Sequence, residues 1–266
     1  MSARKNMTAI LGVILVSVAA VPAAADQAGS VPSPQRDFRV ESKVFVGSSR
    51  EPAVTSTTIF SNGIVYDYLN NPAEVTVFDP RRGRFILLDE ARRVQTEIST
   101  EFVATFIARL RERAAAHSDP MTQFMAAPQF DETFDEESGE LIFANPMFTY
   151  RVVAEAVESP ALAEQYRDFS DWHAKLNTLL VPGTRLPFAR MLVNQVLFQR
   201  QEIPLQVRLE MIVRQSFPAR HVVIRSEHQV IPHLVESDRR RVAQTGQFLA
   251  MFQRLSFEEY QEKIAP

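Results

Sequence analysis

The chain has 266 residues, of which 45% are hydrophobic and 23% charged, and its formal net charge is −3. It contains no cysteine, which excludes disulfides, zinc–thiolate sites, thiol catalysis, iron–sulfur clusters and a lipid-modified N-terminal cysteine. A mildly acidic balance is also a poor match for nucleic acid, whose binding rests on neutralising phosphates.

The N-terminus reads as an export signal. Arg4 and Lys5 form a basic start, an apolar run follows from Ala9 to Val21, and Pro22 precedes the small residues Ala23, Ala24 and Ala25. This is the pattern of a secretory signal peptide cleaved near Ala25. A membrane anchor would need about 20 apolar residues, and this run is shorter. The expected compartment is the periplasm or cell envelope, with no stable transmembrane anchor. Residues 26–36 then form a flexible, Pro-containing leader, and residues 37–266 form a single α+β domain.

Strand-like text begins at Phe38 and runs to Val46. Residues 54–69 hold the clearest hairpin signal: Asn62-Gly63 between two β-rich runs suits a type I′ turn, which needs positive φ at both central positions. After the turn at residues 70–74 come "VTVFD", "PRRG", "RFILLDE", "ARR" and "VQTEI", which read as a meander of antiparallel strands. Val75 and Val77 share one face of their strand and Phe78 takes the other. Phe85 and Leu87 likewise alternate with Ile86 and Leu88. A sheet with one wet side is polar on that side, so apolar residues on both sides predict that both are covered, by helices, a core or an apolar cavity.

Ser99 is placed to cap a helix in which Phe102, Phe106 and Leu110 recur at helical spacing. Residues 117–130 break that periodicity and read as a loop carrying Met121, Phe124 and Met125, a candidate apolar lid. Strand text resumes at residue 129 around a Glu137-Ser138-Gly139 turn. Ser159-Pro160 begins a second helix, and Pro187 lies near the start of a third. Together they form a helical insertion at about residues 160–201. In "LQVRLEMIV" the odd positions 205–213 are apolar and face one way, with Gln206, Arg208 and Glu210 facing the other, and "ARHVVIRSEHQVI" is the expected partner strand. The last helices span residues 236–255 and start again at Phe257, where Ser256 and Glu259 form a capping box.

No motif assembles a nucleophile, a base and an orienting group, so no catalytic residue is assigned and a non-enzymatic role is expected. There is no G-x-S-x-G elbow and no phosphate-binding glycine loop. His221 and His228 are an odd number of residues apart on a strand and therefore point to opposite faces. They read as surface histidines, and no metal or cofactor is expected. His173 is expected to pack on the apolar stripe of its helix.

The stretch "TTIFSNGIVYDYL…AEVTVFDPRRGRFILLDEARRVQTEI" resembles the LolA/LolB-like periplasmic lipoprotein carrier superfamily, chiefly over residues 54–98. The resemblance implies an open half-barrel, a curved antiparallel β-sheet packed by several helices, with an apolar space that takes a lipid, acyl chain or lipoprotein. The candidate lining is either Phe78, Ile86 and Leu88 or, on the other face, Val77, Phe85 and Leu87. The alternative is a structural or interaction protein of the envelope with a closed core and no ligand.

Overall fold

A computed structural model describes residues 36–181, 185–213 and 220–264. The expected signal peptide lies outside the described residues, as does the leader up to residue 35. The first half is the meander: β1 (Phe38–Val46), β2 (Val54–Ser61), β3 (Ile64–Leu69), β4 (Glu74–Asp79), β5 (Arg84–Asp89) and β6 (Val94–Ser99). Helices α1 (Thr100–Ala115) and α2 (Pro120–Ala126) follow, then β7 (Asp131–Asp135), β8 (Glu140–Asn145) and β9 (Phe148–Ala156). Helices α3 (Pro160–Leu180) and α4 (Phe188–Gln199) precede β10 (Glu202–Val213) and β11 (Arg220–Ile231). The chain ends with α5 (Glu236–Met251), β12 (Gln253–Arg254) and α6 (Phe257–Ile264).

All these strands join one open, curved sheet in the order β12-β6-β5-β4-β3-β2-β1-β11-β10-β9-β8-β7. Every pairing is antiparallel except that of β12 with β6. The sheet does not close, since β7 and β12 end it on opposite sides. This is the α+β half-barrel architecture expected of the sequence.

Short turns set the registers. Asn62 (φ 53°) and Gly63 (φ 75°) are both left-handed, and they place Ser61 opposite Ile64. The bends after β4 and after β5 share one device. Asp79 accepts the backbone N–H of Arg82 and meets its guanidinium at 3.3 Å; Asp89 does the same for Arg92, at 2.7 Å. The Asp side chain thereby supplies the acceptor that each bend leaves missing. Gly83 closes the first bend at φ 59°, where a Cβ would stand 3.1 Å from Thr100 Oγ1, so glycine is needed there for both backbone and space.

The four-residue connection between β4 and β5 pairs Asp79 with Arg84, and so Phe78 with Phe85 and Val77 with Ile86. This corrects the expected grouping of candidate lining residues. Phe78, Phe85 and Leu87 share one face, and Val77, Ile86 and Leu88 share the other. The parity of a loop decides which residues of neighbouring strands look the same way, and four residues make even positions of β4 face odd positions of β5.

Each face has its own helix layer over the meander. On one face a cross-strand row, Phe38–Phe60–Val65–Phe78–Phe85–Ile98, runs over six strands. It packs against Val103 and Ile107 of α1, Phe169, Leu176 and Leu179 of α3, and Tyr260 of α6. The same face continues through β11 to β8, where Leu141, Phe143, Val152, Val207 and Leu209 meet Val193 and Leu197 of α4. The opposite face carries Ile59, Val75, Val77, Ile86 and Leu88, covered by Val242, Phe248 and Leu249 of α5 and by Phe252. Polar contacts pin α5 there. Tyr68 and Thr245 share a hydrogen bond of 2.9 Å, Arg39 pairs with Asp238 at 2.8 Å, and Gln95 Nε2 donates to the carbonyls of Leu249 and Phe252. Burial pushes the Tyr68 hydroxyl up to about 12. Coverage of both faces is what the doubly apolar strands of the meander required.

Candidate site between the sheet and its helix layer

Phe78, Phe85 and Leu87 lie beneath α1, α3 and α6, fully buried. Their surroundings are aromatic. Phe78 stacks on Phe85 at 4.7 Å, and the Trp172 ring of α3 stands 6.3 Å from both. Phe38 stacks on Phe60 at 4.0 Å, and Phe169 meets Phe60 edge-on at 5.7 Å. Flat rings on both sides make a layer that holds α3 to the sheet through large, weakly directional contacts. Val77, Ile86 and Leu88 instead meet α5. Ile86 also borders a cavity of about 300 Å³ at the sheet edge, with Arg84, Gln95, Glu97 and Leu249 among its other walls.

Met121, Phe124 and Met125 sit on a helix, not the loop expected for residues 117–130. Asp119 caps α2 by accepting the Thr122 N–H at 2.8 Å, with Pro120 in the first turn. An Asp-Pro helix start is legible in sequence, but the helix spans only seven residues, too few to show periodicity. Met121 and Phe124 pack on the cluster that contains Phe143 and Phe148, while Met125 packs near Leu186.

Beside the aromatic layer the same sheet face turns polar, where β1, β2, β3 and β11 carry Ser42, Thr58, Asp67, Ser226 and His228. Asp67 is 4% exposed and accepts the Thr58 hydroxyl at 2.7 Å. His173 of α3 reaches it with Nε2 at 3.4 Å, stacks on Phe169, and has Nδ1 3.3 Å from the Asn177 amide. With Asn177 donating, Nδ1 accepts and Nε2 holds the proton that faces Asp67. His173 thus packs as expected on the apolar stripe and also ties α3 to the sheet.

His228 departs from the expected surface histidine. The parity reading holds: His221 projects toward Glu210 on the open face and His228 projects beneath the helices. There its ring is bracketed by the Ser42 hydroxyl at 2.9 Å and the Ser226 hydroxyl at 3.0 Å. Burial and the Arg190 guanidinium push it down to about 3. A base so depressed stays neutral when folded but takes up a proton when unfolded, so stability falls as pH drops from about 6.5 toward 3. Between pH 7 and pH 5 this group is expected to remove about 2 kcal/mol. Urea midpoints at the two pH values check it: His228→Gln should lose less stability than the unmodified chain, and identical losses would refute the assignment.

Further groups converge from α3 and α4. Tyr166 has Ser170 and Arg190 as hydrogen-bond partners, and burial raises its hydroxyl pKa. Tyr150 of β9 is raised in the same way, opposed by Arg190 and Arg185. Asp171 accepts the Asn194 amide at 2.7 Å and is raised by burial. None of these residues was singled out from the sequence as a site. The available signal was the run of Ser and Thr at inward strand positions, where the rest of the face is apolar. Among the described residues there is no group of three His, Asp or Glu placed to hold a metal ion, and no helix long and apolar enough to cross a membrane.

No family model and no curated protein sequence matches the chain. Among solved structures, the chain is similar to a LolA superfamily protein from Nitrosomonas europaea, with 7% identity, 77% of this chain and 89% of that chain covered, and a TM-score of 0.28.

Proposed function

We propose that this protein is an exported, non-enzymatic binding or carrier protein of the cell envelope that buries an acyl chain between its curved sheet and the helix layer. The observation that carries the reading is the aromatic layer of Phe78, Phe85, Phe169 and Trp172, which joins α3 to the sheet without interlocking polar contacts of its own. Rings can slide apart around an inserted chain and exchange one apolar contact for another. Each methylene transferred from water contributes about 0.8 kcal/mol, so a chain of ordinary length offsets the cost of parting them. Of the two faces as the strand register groups them, the one with Phe78, Phe85 and Leu87 lies under this layer. Met121, Phe124 and Met125 of α2 are the proposed rim. The chemistry of the site fits a lipid or a lipoprotein acyl chain.

The chain has a single tryptophan, and it lies in the proposed path. Titration with laurate should therefore shift the Trp172 emission, and protein purified from its native envelope should carry lipid detectable by mass spectrometry. Unchanged emission together with lipid-free protein would sink the proposal. A second reading, a closed-core structural or interaction protein of the envelope, is favoured by the complete burial of Phe38 and Phe85. Recovery of one stable protein partner by cross-linking, from a chain that takes up no lipid, would support that reading instead.

A further inference from the structure

Two guanidinium groups near the start of α4 lack a counter-ion. Arg185 precedes the helix and Arg190 lies in its first turn, and both are half-buried. Among the described residues neither has a carboxylate within 4.0 Å. Arginines of the solvated strands are treated differently: Arg208 and Arg225 hold Glu210 and Glu227 at 2.7 and 2.6 Å. Thus the half-buried Arg185 and Arg190 beside α4 are unpaired among the described residues, while Arg208 and Arg225 of the strands are paired. Burying an uncompensated charge is costly, and an arrangement that keeps two such charges together suits an anion supplied from outside.

The neighbours of these arginines are neutral hydrogen-bonding groups. Arg185 Nη1 stands 3.6 Å from Met211 Sδ. Arg190 meets the Tyr166 hydroxyl beside Ser170, and its field reaches Tyr150 and His228. His228 is already held by Ser42 and Ser226. The nearby carboxylate Asp171 is engaged with Asn194. Pro187 leaves the first turn of α4 without a side-chain cap, so the positive end of the helix adds to the same field. Tyr166 shares α3 with Phe169 and Trp172 and belongs to the apolar cluster that holds Phe78 and Phe85, which places the cationic group on the same side of the sheet as the proposed acyl path.

We infer that Arg185 and Arg190 bind the anionic head group, a carboxylate or a phosphate monoester, of an amphiphile whose chain lies along Phe78, Phe85 and Trp172. This inference rests on the acyl-chain reading above. Laurate, dodecyl phosphate and dodecanol share a chain length and differ in the head, so calorimetric titration with each isolates the head-group contribution. At least one of the two anions should bind about tenfold or more tightly than dodecanol, the gain expected of charge-assisted hydrogen bonds. Arg190→Gln should abolish that preference by weakening the anions far more than dodecanol, and Arg190→Lys should retain most of it. A preference for laurate alone identifies a carboxylate head, and for dodecyl phosphate alone a phosphate. Equal affinity for all three in the unmodified chain would overturn the inference, as would a preference that survives the Arg185→Gln/Arg190→Gln double variant. If no amphiphile binds, the acyl-chain reading fails, and the anion site is then read separately. Inorganic phosphate should shift the His228 ring resonances in the unmodified chain but not in the double variant, and the absence of that shift would refute the site.

Discussion

Replacing Phe85 with alanine is expected to destabilise the fold by about 3–5 kcal/mol. The ring is fully buried, stacked on Phe78 at 4.7 Å and set against Trp172 at 6.3 Å. Its removal loses the transfer free energy of the ring and opens a void in the middle of a row that spans six strands. The surroundings cannot collapse easily, because the backbone of β5 is hydrogen-bonded to β4 on one side and β6 on the other. Phe85→Leu keeps most of the volume and should cost less than half as much. Urea unfolding followed by far-UV circular dichroism measures both. A Phe85→Ala cost below about 1 kcal/mol would mean that the aromatic layer is not the core of this half of the sheet.

The second large effect is expected at Asp67, where alanine should cost about 2–4 kcal/mol. The carboxylate is buried and, among the described residues, is the acceptor of the Thr58 hydroxyl, as well as the sheet-side partner of His173. Alanine leaves that hydroxyl buried without an acceptor and frees α3 from the sheet at this point. Asp67→Asn retains an amide oxygen for Thr58 and should cost about half as much. The comparison separates the hydrogen bond from the charge: equal losses for Ala and Asn would assign the whole effect to the charged contact with His173. Equal midpoints for both variants and the unmodified chain would show that α3 is held by its aromatic contacts alone. The pH effect at His228 acts in the same layer, but through a group that must stay neutral.

Much of the fold was legible because the signals are local. The limits of β1, the left-handed Asn62-Gly63 turn, the Ser99 cap and the Ser256–Glu259 box all follow from neighbours in sequence. The pairing of β10 with β11, and the opposite projections of His221 and His228, follow from the two-residue period of a strand. Helix α2 is announced only by Asp119-Pro120, because about two hydrophobic turns and a loop share the same composition. The correct partners across strands, Phe78 with Phe85 and Val77 with Ile86, required the loop count as well as the alternation within each strand.

The site itself was much less legible. Arg190, Tyr166, Tyr150 and His228 come from α4, α3, β9 and β11, and no short-range pattern links them. Their convergence depends on β10 pairing with both β9 and β11, which puts Tyr150 and His228 on one face, while β1 pairing with β11 adds Ser42. Sequence by itself determined that the chain is an antiparallel sheet with helices, that both faces of the meander are covered, and that cysteine chemistry is absent. It could do so because periodicity, turn residues and composition are properties of segments. Only the tertiary structure decided which helix covers which face, which apolar residues meet Trp172, and that Arg185 and Arg190 stand beside α4 with no carboxylate within 4.0 Å among the described residues. Those outcomes depend on long-range strand order and on burial, and burial is set by what the rest of the chain places on top.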